Sequence, residues 1–195
     1  NLIVRDNRAD YGGGIYFSCP DSLVIRDVIV RDNSGHNGAG GISNGGSVAW
    51  LINVHILYNE TNDYGGGFGG GSRTYFIGGS IIGNSARAGG GIYLTSGPQV
   101  TCTEILIMGN YSSGSGGGLY VSGGSSINLS NSLLIGNMAE GSGGGACLGG
   151  ERDKIFTNVT VENNYAPIGG GIYAGSGPQI IRNCIIWKNA YTNIS

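Results

Sequence analysis

Residues 78–93 read GGSIIGNSARAGGGIY, running from Gly78 through Asn84 and the triplet Gly89, Gly90 and Gly91 to Ile92 and Tyr93. Two features of this stretch return along the chain. The first is an Asn that closes a seven-residue unit: NLIVRDN, DVIVRDN, NVHILYN, GGSIIGN, EILIMGN, NSLLIGN, NVTVENN and NCIIWKN end at Asn7, Asn33, Asn59, Asn84, Asn110, Asn137, Asn164 and Asn189. The spacings are 26, 26, 25, 26, 27, 27 and 25 residues. The second is a glycine run that leads into an apolar residue shortly after each of the first seven Asn, as GGGIY, GAGGIS, GGGFG, GGGIY, GGGLY, GGGAC and GGGIY. Between these anchors lies a third apolar segment: SLVIR, AWLI, YFI, VTCT, INLS, IFT and IIR.

Glycine triplets at every repeat exclude helix, since each Gly costs roughly 1 kcal/mol against Ala there. What remains is a coil of strands. The pattern predicts an all-β parallel β-helix, about 26 residues and three short strands per rung and about seven rungs, each strand pairing with its copy roughly 4.8 Å away. From first to last Asn such a rod measures on the order of 34 Å.

The interior reads as columns. The fourth position of the seven-residue unit is Val4, Val30, Ile56, Ile81, Ile107, Leu134, Val161 and Ile186, and with the mostly apolar second position it is expected to point inward. A second inward column follows the glycines (Ile15, Ile42, Phe68, Ile92, Leu119, Ala146, Ile172), and a third comes from the middle segment (Ile25, Leu51, Phe76, Cys102, Leu129, Phe156, Ile181). The recurring Asn is expected to form a structural ladder, its amide in a left-handed turn and bonded to the rungs above and below. The glycines read as turn makers with positive φ, not as phosphate cradles, because no helix follows them.

Composition narrows the function. The chain of 195 residues holds 41 Gly, only 4 Pro and no Gly-X-Y period, which excludes collagen. Ten Lys plus Arg against 12 Asp plus Glu, with no basic cluster, lack the footprint that nucleic acid requires. No run of 18 apolar residues is present to span a membrane, and the residues ahead of the first strand offer no targeting peptide to read, so neither feature is expected within this stretch. One solenoid over residues 1–195 is expected, either a piece of a longer rod or a rod whose ends neighbouring chains cover.

The run from Ile81 to Asn84, then Gly89, Gly90, Gly91, Ile92 and Tyr93, resembles right-handed parallel β-helix repeats of bacterial surface proteins. It is most similar to polymorphic outer-membrane protein repeats and to the Gly-Asn-rich repeats of secreted adhesins. Where that first group often has Phe three residues before the Asn, this chain has Val, Ile or Leu. The resemblance implies an extracellular or cell-surface rod without catalytic residues to carry over. Pectate-lyase-like enzymes share the fold, and fold alone does not give function.

No catalytic residue, metal ligand or cofactor site emerges. Arg5, Asp6, Arg31 and Asp32 could begin a Ca²⁺ site, but about six to eight oxygen ligands are needed and the next rung offers Tyr58. A solvated charge ladder is the simpler reading. His36 and His55 read as surface residues. Cys102 and Cys184 are expected as buried free thiols in inward columns, with Cys19 and Cys147 in turn or outward positions open to a bond with another chain. Of the N-x-S/T sites, Asn128 and Asn193 are the candidates for glycosylation.

Two outward features could recognise something. Tyr16, Tyr93, Tyr120 and Tyr173 share one column, interrupted by Ser43, Gly69 and Cys147, and could bind a sugar or a partner surface. The third and fifth positions of the seven-residue units form an apolar face that includes Leu57, Ile82, Leu106, Met108, Leu133, Ile135, Ile185 and Trp187, a candidate for self-association end to end or side by side. The expected function is a non-enzymatic extracellular structural or surface module, rod- or fibre-forming. A polysaccharide-active enzyme and a carbohydrate-binding adhesin using the Tyr column are the rivals, the latter addressing glycans on a host or neighbouring cell.

Overall fold

A computed structural model describes residues 2–190. Its strands coil into a solenoid in which every pairing is parallel and joins one rung to the next, as at Thr74↔Val100 or Ile92↔Leu119. Among the described residues the strands form sheets of 11, 7 and 6 strands. The long sheet starts at Leu2–Arg5 and ends at Ile185–Trp187. The seven-stranded sheet collects the residues after each glycine run, from Ile15–Phe17 to Ile172–Ala174.

The three faces are composed differently from the reading of three separate apolar runs. The middle segment and the seven-residue unit lie in one sheet, and in Ala49–Leu57, Arg73–Ile82, Ser126–Ile135 and Lys154–Glu162 they fuse into single strands. A left-handed residue marks the junction: Asp27, Asn53, Gly78, Glu104, Asn131, Asn158 and Asn183 all have φ between 50° and 65°, and the strand runs on through Asn53, Gly78, Asn131 and Asn158 but is interrupted at the other three. The six-stranded sheet is built from two-residue strands just past the ladder Asn, such as Ser85–Ala86 and Tyr111–Ser112. Segments that short carry no alternation for sequence reading to find.

The predicted columns fill the core. Ile25, Leu51, Phe76, Cys102, Leu129, Phe156 and Ile181 are in unbroken register. Those from Leu51 to Phe156 are buried. Phe68 meets Phe76 edge to face at 5.0 Å, which ties the seven-stranded sheet to the long one across the core.

The ladder forms as expected. Each Asn Nδ2 donates to the Oδ1 of the next, from Asn7 to Asn189, at 2.9 or 3.0 Å. The same Oδ1 accepts the preceding Asn's backbone N–H, as from Asn84 to Asn110 at 3.0 Å. The second amide hydrogen goes to the carbonyl of the inward residue of the previous rung, for example Asn110 to Ile81. The ladder Asn is not itself the left-handed residue. That conformation belongs to the residue before it, at Asp6, Asp32, Tyr58, Gly83, Gly109, Gly136, Asn163 and Lys188.

The glycine run divides two duties. Its first member, such as Gly89 with φ 63°, takes the left-handed turn. Its third is Gly because of what lies one rung on: a Cβ on Gly91 would sit 2.5 Å from the Gly118 carbonyl oxygen and 3.2 Å from Asn110 Nδ2. The glycines thus let the seven-stranded sheet close onto the ladder.

Candidate recognition surfaces

Register places Tyr16, Ser43, Gly69, Tyr93, Tyr120, Cys147 and Tyr173 in one column of the seven-stranded sheet. The four tyrosines therefore share a face, but they are not one stack. Tyr93 and Tyr120 stack at 5.2 Å, and the ring on the other side of Tyr93 is Tyr64, at 4.6 Å and 12° between planes. Tyr64 precedes its glycine run and occupies the gap left by Gly69. Sequence reading missed it, although Tyr11 stands at the same place before the first run. Arg87 adds a guanidinium 6.0 Å from the Tyr64 ring centre. Burial, with Tyr120 and Tyr64 beside it, raises the Tyr93 pKa above its ordinary value, against the opposing hydrogen bond from Thr95.

On the tip side of Tyr64 the column opens. Tyr11 and Tyr16, 6.4 Å apart and tilted by 56°, stand across a cleft of about 350 Å³ from Tyr64 and Tyr93. Gly69, Gly70 and Ser43 line it, and Asp63, Thr95 and Asn37 contribute polar groups.

The long sheet carries the apolar face. Its outward column runs Arg5, Arg31, Leu57, Ile82, Met108, Ile135, Glu162 and Trp187. Leu106 and Leu133 lie beside it in register. Met108 and Leu133 are exposed, whereas Leu57, Ile82, Leu106 and Ile135 are half-buried, so the patch is shallower than the sequence suggested. Ile185 and Trp187 are exposed but separated from it by Thr160 and Glu162. Lys188 Nζ sits 4.2 Å from the Trp187 ring centre.

A family model described as the right handed beta helix region matches residues 1–164, most of the chain. The chain belongs to the right-handed β-helix family. Neither the curated proteins nor the solved structures gave a match.

In this right-handed β-helix the remaining sequence candidates are dispersed. Arg5 pairs with Asp6 at 3.6 Å and Arg31 with Asp32 at 2.8 Å, each along the chain, as a surface charge ladder does. His36 is exposed, and His55 Nδ1 is 2.9 Å from Ser80 Oγ. Among the described residues no three His, Cys, Asp or Glu side chains gather. All four cysteines are free. Cys102 is fully buried and its pKa is pushed far up by desolvation. Cys184 is only half-buried, because its column ends there. Cys147 was expected to be outward and available, but it is 8% exposed, and burial pushes its thiol up to about 11. Cys19 is half-buried beside Ser47 Oγ. Asn128 is exposed on the long sheet, two rungs beyond the Trp50–Tyr75 stack, and Asn193 lies outside the described residues.

One buried group had no counterpart in the sequence reading. Lys154 follows Leu23, Ala49, Thr74, Val100 and Ile127 in an inward column and is 0% exposed. Its ammonium donates to the carbonyls of Gly150 and Arg152, both at 2.6 Å, in the turn that curls over it. Desolvation lowers its pKa, and the nearby Asp153 only partly opposes this.

Proposed function

We propose that this right-handed β-helix is a non-catalytic, extracellular structural rod that associates side to side with copies of itself. The observation that carries the reading is the order of the outward column: two Arg, then Leu57, Ile82, Met108 and Ile135, then Glu162 and Trp187. Two copies laid antiparallel about a two-fold axis between Ile82 and Met108 set Leu57 against Ile135. Arg31 then faces Glu162 and Arg5 faces Trp187 of the second copy, by ion pairing and cation–π attraction. Because every rung adds the same rise, the match holds along the whole column. The extracellular setting rests on the likeness of the Gly-Asn repeat to repeats of bacterial surface proteins.

Sedimentation velocity tests the reading. The unaltered protein is expected to dimerise or form longer species, and Met108→Lys with Ile135→Lys to return it to monomer with its melting curve unchanged. A wild-type protein that stays monomeric at high concentration removes lateral association. Release of unsaturated sugar from polygalacturonate, with or without Ca²⁺, replaces the structural reading with an enzymatic one.

A further inference from the structure

The repeat breaks its own aromatic pattern at one rung. In the first rung Tyr11 precedes the glycine run and Tyr16 follows the inward Ile15. In the third rung Tyr64 precedes the run and its ring covers Gly69, and in the fourth Tyr93 follows it. In the second rung the two corresponding positions are Gly38 and Ser43, so that rung supplies no ring of its own, and Tyr11 leans toward it, 3.0 Å from where a Cβ on Gly38 would stand. Ser43 Oγ is turned to the backbone, accepting the Ala39 N–H at 3.2 Å. The outcome is the cleft of about 350 Å³ between two aromatic walls.

Its chemistry selects a guest. Tyrosine rings form its walls and Asp63, Thr95 and Asn37 bring polar groups, which suits a molecule with apolar C–H faces and hydroxyl edges. No Lys or Arg lines the cleft, while Arg87 lines the neighbouring hollow with Tyr93 and Tyr120, so an anionic guest finds no counter-charge. The carboxylate of Asp63 has no ion-pair partner among the described residues and stands at the rim with Thr95 and Asn37. A quaternary ammonium group wants rings closing round it on several sides. Here Tyr64, Tyr93 and Tyr120 are parallel to one another and cover each other's faces, which leaves a platform instead of a box.

We propose that the cleft binds one uncharged pyranose residue of a glycan, held between the Tyr11–Tyr16 pair and Tyr64, with Asp63 accepting hydrogen bonds from its hydroxyls. Neutral glycan recognition on the seven-stranded sheet adds to the structural role and does not depend on it, because the association face lies on the long sheet. The predicted break in the Tyr column thus becomes the site, not a defect in it.

Saturation-transfer NMR with neutral trisaccharides of glucose, xylose, mannose, galactose and N-acetylglucosamine, at up to about 10 mM, tests this; trigalacturonate and choline serve as controls. At least one neutral trimer is expected to receive saturation at its ring C–H protons and to shift Tyr64 resonances. Tyr64→Ala is expected to weaken it about tenfold or more. Ser43→Tyr refills the vacant rung and is expected to abolish binding, while the sedimentation behaviour stays that of the unaltered protein. Binding that survives Ser43→Tyr, a preference for choline or trigalacturonate, or no binding by any neutral trimer overturns the proposal. Should Ser43→Tyr misfold, the Tyr64→Ala affinity and the Tyr64 resonance shifts decide the question.

Discussion

The turn closed by the Asn ladder and the face that carries the tyrosines come from the same repeat, yet they vary very differently along the rod. Eight successive rungs place Asn at the turn. On the tyrosine face the sequence passes through Tyr, Ser, Gly, Tyr, Tyr, Cys and Tyr. The difference lies in what a substitution leaves behind. At the turn each amide is both acceptor and donor for its neighbours in a fully buried site, so one loss strands partners on two sides. On the outer face a missing ring leaves solvent, and a neighbouring segment can fill the gap, as Tyr64 does over Gly69.

The largest expected effect comes from breaking the turn in mid-rod. Asn110→Ala leaves the Asn84 backbone N–H without a partner, removes one bond each from the Asn84 Nδ2 and the Ile81 carbonyl, and opens the ladder to Asn137. A loss of about 4 kcal/mol is expected from several buried groups that lose hydrogen bonds, read as a lower urea midpoint. Gly91→Ala should follow, at about 2–3 kcal/mol, because the added methyl meets the Gly118 carbonyl, which the stack cannot move aside cheaply. A circular-dichroism melt of that variant checks it, and an unchanged melt would mean that the rungs have slack.

Lys154 sharpens the comparison by placing a charge where an apolar residue belongs. Its folded pKa lies below the ordinary value, so between that depressed value and about 10.4 the unfolded chain holds a proton that the folded one has released. Stability should therefore rise with pH across this window, the ammonium's burial cost disappearing as it deprotonates. Urea midpoints of wild type minus Lys154→Met, from neutral pH upward, should show the wild type gaining. Subtracting the variant removes the opposite trend from Tyr93 and Tyr111, whose raised values make stability fall once pH climbs through them. The smallest effect is expected at the vacant rung. Ser43→Tyr should stay within about 1 kcal/mol of wild type, stacking against Tyr16 offsetting the lost bond to the Ala39 N–H. Equal losses for Asn110→Ala and Ser43→Tyr would erase the distinction between turn and face.

How far the sequence could be read follows from the same physics. The ladder, the inward columns and the Tyr register were legible because a solenoid repeats one environment many times, and each environment admits few side chains. Tyr64 was hidden because its ring reaches the column from a different segment. The mobility of that assignment across segments also concealed the cleft, which depends on Gly38 and Ser43 being vacant together. Lys154 was hidden because Lys reads as a surface residue, and only the turn from Gly150 to Arg152 supplies the carbonyls that allow its burial.

Sequence by itself determined the coil: its period, the ladder, the three core columns and the two outward faces follow from which side chains recur at which spacing. Tertiary structure decided how segments divide among sheets, which thiols are covered and where the aromatic column opens. Periodicity reports the average rung, since burial and hydrogen bonding impose it on every copy. Departures from that average are settled by contacts between segments that the order of residues does not place side by side.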